Sequence, residues 1–543
     1  MMKNNILSGL TVGIIALPLS MALAIATGVP PELGLYTAII AGTFAAIFGS
    51  SKVNISGPTA AFIVILIPIV NEFGVSGLLI CGLLSGFILL IAGFLKLGTL
   101  IEIVPYPVTV GFTSGIAVVI ATYQIKDFFG LTIEKFEGHY LDKIVLIFNS
   151  IPTFKPAELA VGIVTLFILI FWQKTKSKIP SALIALGFIT VVVYIVNIYF
   201  PQFNISTVYS TFHYKIGNLE GNGIPPIPLQ FELPWSYLNT DQINLALFYK
   251  LLPHSIAIAI LGALESLLCA VISDGMTGHK TDPNKELIGQ GITNIIVPFF
   301  GGIPATAAIA RTVVNVKSGA TSKISSVIHS LFILASISFL ATYLSFLPMA
   351  SLSALLLMVA WNMSEIKHFK NIIKVAPGND VLVLLTCFIL TVLIDMQVAV
   401  AIGMGLASIL FIKKTIDLHS IELAPKGNHL HPDIPENISI YDINGPMFFG
   451  AAQNALKTLL NVNENTNIVI LNMKNVSMLD MTGIIALESI VENFRSKNKK
   501  LIFCGVNARI LKKLEKAHFE FDSLHLKNFD NLHDSINYSK SII

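Results

Sequence analysis

The chain has 543 residues, of which 54% are hydrophobic and only 12% are charged, and its mean hydropathy is +0.75. A soluble globular protein of this size does not reach that balance, so the composition predicts an integral membrane protein. The net charge of only +3 gives no reason to expect a nucleic-acid partner.

The apolar runs define the predicted membrane segments. A bilayer core of about 30 Å needs roughly 20 apolar residues per helix, so a shorter run is broken or re-entrant, and this rule yields about fourteen segments. The first run lacks a small-residue cleavage site, and we expect it to remain as the first helix. The approximate segments are 6–27, 33–50, 55–71, 75–95, 99–123, 157–172, 180–199, 250–273, 286–300, 303–317, 324–346, 348–362, 379–395 and 397–412.

The lysines of the short loops predict the orientation. They all follow even-numbered segments, and because cytoplasmic loops are enriched in lysine and arginine, both termini are expected in the cytoplasm. An odd number of segments per half inverts the second repeat, about 250–412, relative to the first, about 6–199. The lysines are Lys174, Lys176, Lys178, Lys280, Lys285, Lys367, Lys370, Lys374, Lys413 and Lys414.

Two segments are interrupted by proline and glycine and are nearly free of charge. One is Ile-Ser-Gly-Pro-Thr-Ala-Ala-Phe at 55–62, and the other is Gly-Gly-Ile-Pro-Ala-Thr-Ala-Ala at 301–308. Each has a Gly-Pro or Ile-Pro break followed by a Thr-Ala-Ala core, and Arg311 follows the second. Two broken segments at corresponding places in two halves indicate a transporter built from repeats, with its site near mid-membrane.

These segments predict an anion pocket. Each would begin a half-helix whose free amide N–H groups carry partial positive charge, so two such N-termini aimed at each other attract an anion. Small side chains would admit the ligand to the backbone, threonine hydroxyls would donate hydrogen bonds, and Arg311, about two turns into its half-helix, would raise the potential. The residues are Thr59, Ala60, Thr306, Ala307, Ala308 and Arg311.

Other interpretations of the same residues stay open. A Gly-Pro-Thr-Ala stretch also suits a kinked helix that packs closely through small residues. Arg311 also suits a side chain that extends to the inner headgroups. Glu265 lies in the middle of an apolar run. There, a carboxylate has three interpretations: it carries a proton, it holds a cation, or it joins two helices by a hydrogen bond. Glu32 lies in the first hairpin turn, as an exposed loop carboxylate or a gating group.

The last part of the chain reads as a separate domain. Charged residues become dense from Lys413 onward, which divides the chain into a membrane domain at 1–414, a linker at 415–432 and a cytoplasmic domain at 433–543. Short apolar runs at 438–443, 468–473 and 501–504 predict strands, and 450–461, 483–497 and 508–517 predict helices, so the domain is an α/β sandwich. Asp480 is a good N-cap for the middle helix.

Several ordered motifs resemble the SulP anion permeases. They are Gly-Val-Pro-Pro-Glu-Leu-Gly-Leu-Tyr at 28–36, Ile-Ser-Gly-Pro-Thr-Ala at 55–60, Pro-Tyr-Pro-Val-Thr-Val-Gly-Phe-Thr-Ser-Gly-Ile-Ala at 105–117, Gly-Gly-Ile-Pro-Ala-Thr at 301–306, Ala-Arg-Thr at 310–312 and Ala-Trp-Asn-Met-Ser at 360–364. The resemblance implies two inverted repeats of seven segments in a core and a gate domain, a cytoplasmic STAS domain, a homodimer and elevator-like movement of the core. It implies an anion such as sulfate, bicarbonate or a C4-dicarboxylate.

The resemblance also implies which residues form the site. Thr59 and Ala60 take the third-segment positions, and the tenth segment provides Ala307, Ala308, Ile309, Ala310 and Arg311. Leu19 and Leu23 fall where first-segment residues line the site. Glu265 matches an acidic residue of sodium-coupled bicarbonate relatives, but the position one turn later is Cys269 rather than a hydroxyl. Sodium prefers hard oxygen ligands, so proton coupling is favoured.

The tail motif Asp480-Met481-Thr482-Gly483 resembles the STAS signature, in which a hydroxyl residue of that turn can be phosphorylated. A phosphate on Thr482 would lie at a helix N-terminus. Helix capping alone explains the same residues. We expect the tail to assemble or regulate the transporter, with a cytoplasmic regulatory protein as a possible partner.

The leading hypothesis is therefore a secondary active transporter of a small anion in the plasma (inner) membrane, coupled to H⁺. The alternatives are a Na⁺-coupled bicarbonate symporter, an uncoupled exchanger or channel, a nucleobase permease of the same fold, and a membrane-anchored anion sensor that signals through STAS. No catalytic grouping, nucleotide loop or metal motif is evident, so neither an enzyme nor a cofactor is expected. The four cysteines lack metal-like spacing and are expected to be reduced.

Overall fold

Two units make up the chain in the computed structural model, Met1–Ala407 and Ser408–Ile543. The first contains nearly all of the apolar segments, and the second contains the charged tail. The structure describes residues 2–99, 104–133, 138, 140–175, 177, 179–216, 219–226, 229–236, 244–417, 420–423, 434–460, 462, 465–521, 523 and 525–543.

The first half of the membrane unit is helical apart from one very short strand. Proline stands in the first turn of several of its helices, where the missing amide N–H is no loss. Pro18 and Pro68 lie inside helices, which membrane proteins tolerate because neighbouring groups satisfy the freed carbonyl. The elements are α1 Met2–Thr27, α2 Pro31–Phe48, β1 Ser56–Gly57, α3 Ala60–Phe94, α4 Tyr106–Phe128, α5 Tyr140–Ser150, α6 Pro156–Lys174 and α7 Ser181–Tyr199.

The second half repeats this pattern after a loop. The loop contains α8 Val208–Thr211 and an antiparallel hairpin of β2 His213–Ile216 with β3 Leu219–Asn222. Within the described residues, ten helical stretches are long and apolar enough to cross a membrane. The elements of the second half are α9 Leu245–Thr277, α10 Pro283–Ile296, β4 Thr306–Ala307, α11 Ile309–Lys317, α12 Ile324–Ser345, α13 Met349–Met363, α14 Ile366–Val375, α15 Gly378–Leu393 and α16 Met396–Asp417.

Helix α3 combines the predicted third and fourth segments. Its 35 residues would extend about 52 Å if straight, well beyond a bilayer core of about 30 Å. The helix is broken at Gly74, whose φ of 67° and ψ of −169° are not helical. A positive φ of this kind is readily adopted only by glycine. The two arms on either side of Gly74 therefore correspond to two segments, while the total of fourteen stays a prediction.

The membrane helices pack into two bundles, and each bundle takes helices from both halves of the chain. One bundle, the core, contains α1, α2, α3, α9, α10, α11 and α12, with α3 packed on α10 and α1 packed on α12. The other, the gate, contains α4, α6, α7, α13 and α15, with α4 packed on α13 and α15. This is the division into core and gate that the resemblance implies.

Besides the four-residue α8, two described helices of the membrane unit were not among the predicted segments. Helix α5 has 11 residues and α14 has 10, and both carry polar side chains on one side. Neither meets the length and apolarity of a spanning segment, so a search for apolar runs does not find them. Helix α14 packs Phe369 and Ile372 against Val110 and Leu384 of the gate.

The tail unit contains a five-stranded sheet in the order β5-β6-β7-β8-β9, in which β5 pairs antiparallel and the other pairs are parallel. It confirms the predicted strands and helices and adds an edge strand at each side and a last helix. The strand β5 lies within the predicted linker, most of which falls outside the described residues. The elements are β5 Ser420–Leu423, β6 Ile438–Asn444, α17 Phe449–Leu460, β7 Ile468–Asn475, α18 Met481–Ser496, β8 Lys500–Cys504, α19 Ala508–Lys516, β9 Leu526–Phe529 and α20 Leu532–Ser541.

Apolar side chains cover both faces of this sheet. Helices α17, α18 and α19 pack over one face, where Leu487 and Leu514 are buried, and α20 covers the other with Ile536. Parallel strands buried on both faces are apolar at nearly every position, as in Ile468-Val-Ile-Leu. Burial raises the pKa of the Cys504 thiol to about 11, so this thiol stays protonated at neutral pH. All four cysteines of the chain are free and buried.

Candidate anion-binding site

The two broken segments meet in the core bundle. Strands β1 and β4 pair antiparallel, with Ser56 opposite Ala307 and Gly57 opposite Thr306. The amide of Ala308 extends the pairing by donating to the carbonyl of Ile55 at 2.9 Å. The sequence therefore predicted correctly that these segments are broken and lie side by side.

Each strand leads directly into a helix N-terminus. Helix α3 begins after Thr59 and α11 after Ala308, and neither of these N-cap residues accepts a hydrogen bond through its side chain. In α11 the first backbone bond is donated by Thr312 to Ala308 at 2.9 Å, so three amides precede it. Ile309 and Ala310 are exposed at this end, although the strand before them is buried. Two uncapped N-termini in the membrane unit make a positively polarised region.

Arg311 lies in the first turn of α11, not two turns into it as expected, because the helix begins at Ile309 rather than near 303. Its side chain is only 2% exposed. One terminal nitrogen, Nη2, donates to the carbonyl of Pro58, and Nη1 lies against Gly57, where an added Cβ would approach to 2.7 Å. Nε and Nη1 have no hydrogen-bond partner among the described atoms. Because it is buried, Arg311 does not extend to the headgroups.

The hydroxyl of Thr306 is already committed to the protein. It donates to the carbonyl of Gly262 at 3.0 Å, and the hydroxyl of Ser266 lies 2.7 Å away. Ser266 in turn accepts from the amide of Ala307 at 3.3 Å. This chain of hydrogen bonds ties β4 to α9 and leaves no proton on Thr306 for a ligand. The expected donor role of Thr306 is therefore wrong, and the residue holds the strand in place.

Glu265 of α9 lies beside the other half-helix. Oε2 of Glu265 accepts a hydrogen bond of 2.9 Å from the hydroxyl of Thr59, and the Glu265 side chain is half-buried. The hydroxyl proton of Thr59, like that of Thr306, is thus already donated within the protein rather than to a ligand. Arg311 and Glu265 form no direct ion pair within the described part of the chain, yet each lies within range of the other's charge. The structure thus brings the predicted coupling residue and the predicted cation to the same pair of N-termini.

The remaining predicted residues of the core lie on α1, α2 and α3. Ala60 is buried in the first turn of α3, and Leu23 is buried and Leu19 half-buried on α1, which packs on both α3 and α11. Glu32 is only 9% exposed in the first turn of α2. The interpretation of Glu32 as an exposed loop carboxylate is therefore wrong, because the chain has already entered a packed helix there.

Sequence reasoning missed a set of buried polar residues on α10. Glu286, Gln290 and Asn294 recur at every fourth position and are each at most 2% exposed. Such spacing places them on one face of the helix. The spacing is visible in the sequence, but a search for apolar runs does not single it out.

In the tail unit, Asp480 caps α18 by accepting from the amide of Gly483 at 2.8 Å, as predicted. Thr482 is half-buried in the first turn of this helix. Within the described residues, no group of three or more His, Cys, Asp or Glu side chains could hold a metal ion. The chemistry that the core site offers is charge recognition by backbone amides, one guanidinium and one carboxylate.

The chain resembles known proteins over nearly its whole length. Residues 2–386 match the sulfate permease family and residues 430–535 match the STAS domain. The chain is 38% identical over 540 residues to YvdB of Bacillus subtilis, provisionally named a sulfate transporter, which covers 98% of this chain and 97% of YvdB. It is 28% identical over 536 residues to the bicarbonate transporter BicA of Picosynechococcus sp., which covers 95% of this chain and 90% of BicA.

A solved structure shows the same fold. It is the murine Solute Carrier 26 family member A9 anion transporter, which superposes with a TM-score of 0.85 at 18% identity and covers 99% of this chain and 91% of that chain. At this identity the likeness concerns the fold alone.

Proposed function

The chain belongs to the sulfate permease family, and from that membership we propose that it is a secondary active transporter of small anions. The anion binds between the N-termini of α3 and α11. Sulfate, bicarbonate and C4-dicarboxylates are the candidate substrates, the first two because relatives are named as transporters of them.

One observation carries this proposal above the others. Two helices begin side by side without side-chain caps, and the guanidinium behind them keeps Nε and Nη1 without a protein partner. Buried donors that stay unpaired cost free energy, so such an arrangement persists where a ligand satisfies them. Every donor presents a positively polarised N–H group, which favours an anion as the ligand and disfavours the function of a nucleobase permease.

Charge balance at the site supports coupling to H⁺. With Arg311 positive and Glu265 negative, the empty site is neutral, and an added anion would leave a net negative charge in a poorly solvated place. Protonation of Glu265 removes one negative charge when the anion is bound, which restores neutrality for bicarbonate and leaves a single negative charge for sulfate or a dicarboxylate. The two ligands therefore favour each other's binding, and by linkage the effect is reciprocal.

Sodium coupling is the second candidate, because Glu265 stands at the position of an acidic residue in the sodium-coupled bicarbonate transporters that the chain resembles. The contacts of Cys269 count against it. Its Sγ lies 3.2 Å from Thr312 Oγ1 and 3.6 Å from Asn54 Oδ1, so the thiol is engaged with the protein one turn beyond Glu265. Sodium prefers several oxygen ligands, and a thiol is a poor one.

The boundary between the bundles supports an elevator-like movement of the core. Helix α16 lies against α15 of the gate, where the thiol of Cys387 donates to the carbonyl of Ala399 at 3.7 Å. A cavity of about 130 Å³ lies between α16 and the core helices α3 and α9, and its lining is apolar except for Gln397. Apolar surfaces with a gap between them hold the bundles together without fixed hydrogen bonds. The core then moves with the bound anion while the gate stays in the membrane.

The further parts of the proposal concern the whole protein. It resides in the plasma (inner) membrane of the cell as a homodimer with both termini in the cytoplasm. The tail binds a cytoplasmic regulatory partner through the surface around Thr482.

The test is uptake by purified protein in liposomes. Radiolabelled sulfate, bicarbonate and succinate are offered in turn under an imposed pH gradient, an imposed sodium gradient or neither. We expect one anion class to accumulate with the pH gradient and not with sodium. Empty liposomes and liposomes that contain the Arg311→Ala variant are the matched controls.

Each other outcome selects another function. Accumulation only with sodium identifies the sodium symporter, and flux that ignores both gradients identifies an exchanger or channel. Saturable binding without flux identifies a sensor. Neither binding nor flux with any anion contradicts the proposal.

A further inference from the structure

Helix α10 carries a row of buried polar side chains, Glu286, Gln290 and Asn294, which we name the α10 ladder. Each is at most 2% exposed, because the helix is packed inside the core against α2, α3 and α9. Polar groups are buried at a cost unless they are hydrogen-bonded. Oε1 of Gln290 has no partner among the described atoms, but the other side-chain polar atoms of the ladder are hydrogen-bonded, mostly to the segments that form the candidate site.

Asn294 and Gln290 bond to the two short strands or to the residue beside them. Asn294 bonds the backbone of Ala305, just before β4, by donating from Nδ2 to its carbonyl at 2.9 Å and accepting at Oδ1 from its amide at 2.8 Å. Gln290 donates from Nε2 to the hydroxyl of Ser56 in β1 at 2.8 Å. One helix thus bonds to β1 and to the residue that directly precedes β4.

The third member holds the loop that enters β1. Oε2 of Glu286 accepts from the amides of Ser50 and Ser51 at 2.8 and 2.9 Å, and Oε1 accepts from Nδ2 of Asn54 at 3.0 Å. Asn54 then accepts at Oδ1 from the hydroxyl of Ser273 on α9 at 3.2 Å. All three hydrogen bonds to this side chain are buried or partly buried, so losing one of them would leave a buried polar group unsatisfied at a cost.

We infer that the α10 ladder positions the two helix N-termini relative to each other, with Glu286 and Asn54 as its decisive pair. The inference rests on the proposed function, because the geometry that the ladder sets is that of the proposed anion site. Strands of two residues are too short to fix their own register, since even a complete two-stranded hairpin is only marginally stable alone. The hydrogen bonds from α10 fix the register that the strand pair cannot fix alone.

The path from Asn54 to the site is one residue long. Ile55 follows it, and its amide donates to the hydroxyl of Thr312 at 3.0 Å while its carbonyl accepts from the amide of Ala308. Ala308 is the N-cap of α11. A displacement of Asn54 is therefore passed through one peptide unit to the N-terminus that carries Arg311.

The test exchanges the two partners. Asn54→Asp replaces the amide donor by a second carboxyl group that faces Glu286, and we expect at least about a ten-fold rise in KM for the transported anion, the size of effect produced when a buried hydrogen bond is lost and its partner is left unsatisfied. The double variant Asn54→Asp with Glu286→Gln restores donor and acceptor, because the new amide donates to the new carboxylate, which still accepts from Ser273. We expect its KM within about three-fold of wild type, as non-additive coupling between contacting residues allows.

Asn197→Asp is the matched control. Asn197 of α7 bonds both backbone groups of Ile205, from Nδ2 to its carbonyl at 2.9 Å and from its amide to Oδ1 at 3.0 Å. The same chemical change there removes a comparable bond in the gate. It is expected to lower thermal stability and to leave KM unchanged, which separates positioning of the site from general loss of structure.

The outcomes distinguish the two proposals. If the wild-type protein binds and transports no anion, the proposed function fails. If wild type transports but Asn54→Asp keeps a normal KM, or the double variant is no better than the single one, the ladder does not position the site. Should Asn54→Asp not fold, the double variant decides alone: a folded double variant with a KM near wild type supports the inference, and one with a raised KM overturns it.

Discussion

The free amide N–H groups of the first helical turn are capped by side chains in the tail unit, whereas those of the two half-helices in the core are not. In the tail, α18, α19 and α20 are capped by Asp480, Asn507 and Asn531, which accept from backbone amides at 2.8, 3.0 and 2.8 Å. These caps satisfy amides that no turn of helix can satisfy. The arrangement is complete without a ligand.

In the core, α3 and α11 begin without such caps although the surroundings are buried. Thr59 is of a residue type that caps helices well, yet its hydroxyl donates to Glu265 instead of accepting from α3. The side chain of Ala308 has no polar atom that could accept a hydrogen bond from α11. Where water is scarce, uncapped amides are costly, and they mark a site that a ligand completes. Other helices of the membrane unit, such as α2, α6 and α7, also lack side-chain caps. The functional signal in the core is therefore the meeting of two uncapped N-termini beside the unpaired nitrogens of Arg311.

The largest expected effect comes from removing the cation behind the uncapped pair. Arg311→Ala deletes a buried charge that has two nitrogens without a protein partner. Because each hydrogen bond to a charged group is worth about 1.5–3 kcal/mol, anion uptake should fall by about 100-fold or more. Initial uptake rates in liposomes measure the loss.

Arg495→Ala is the control, since Arg495 is exposed on the tail helix α18 and its loss also removes one positive charge. Its uptake should equal that of wild type. Normal uptake by Arg311→Ala at equal protein density would remove Arg311 from the mechanism.

A second prediction concerns variants that give α11 a side-chain cap like those of the tail helices. Ala308→Asp provides a carboxylate acceptor at the N-cap of α11, where the backbone is already extended at φ −93° and ψ 112°. This internal anion should occupy the amides and abolish uptake. Ala308→Ser provides a neutral cap worth about 1 kcal/mol, so KM should rise by about five-fold. If both variants transport normally, the amides of α11 do not contact the anion.

Glu265→Gln separates recognition from coupling. The amide oxygen still accepts the hydrogen bond of Thr59 but can no longer exchange a proton. Wild type should accumulate anion up to about ten-fold more for each unit of inwardly directed pH gradient, because one unit is worth about 1.4 kcal/mol per proton. The variant should equilibrate the anion whatever the gradient. A variant that still follows the pH gradient would leave Glu265 with a packing role only.

The sequence predicted the parts of this site that repeat in both halves. The break-and-restart pattern at Pro58 and Pro304 indicated two half-helices, because proline and glycine interrupt helices by local geometry alone. The start of α11 was misplaced by several residues, since the extended residues Thr306 and Ala307 depend on pairing with β1, a contact between distant parts of the chain. Arg311 was consequently placed too deep in its helix.

Tertiary contacts also explain the other misses. The sequence shows that Thr306 has a hydroxyl but not that Gly262 and Ser266 satisfy it. Likewise, Glu286 could not be assigned, because its partners are backbone amides more than 230 positions away in the chain. Local pattern predicts elements, whereas the use of a buried polar group follows only from the packing of several elements.

The smallest expected effect tests the other side of the comparison. Asp480→Ala removes a complete cap, so α18 should lose about 1 kcal/mol and the tail unit should unfold at a lower temperature. Uptake by the full chain in liposomes should stay at the wild-type level, because the cap satisfies the helix and serves no anion. Asp480→Asn is the control, since asparagine caps about as well and should retain the unfolding temperature. Reduced uptake by Asp480→Ala in a folded protein would show instead that the tail N-terminus takes part in transport, and the distinction between capped and uncapped ends would no longer separate structure from function.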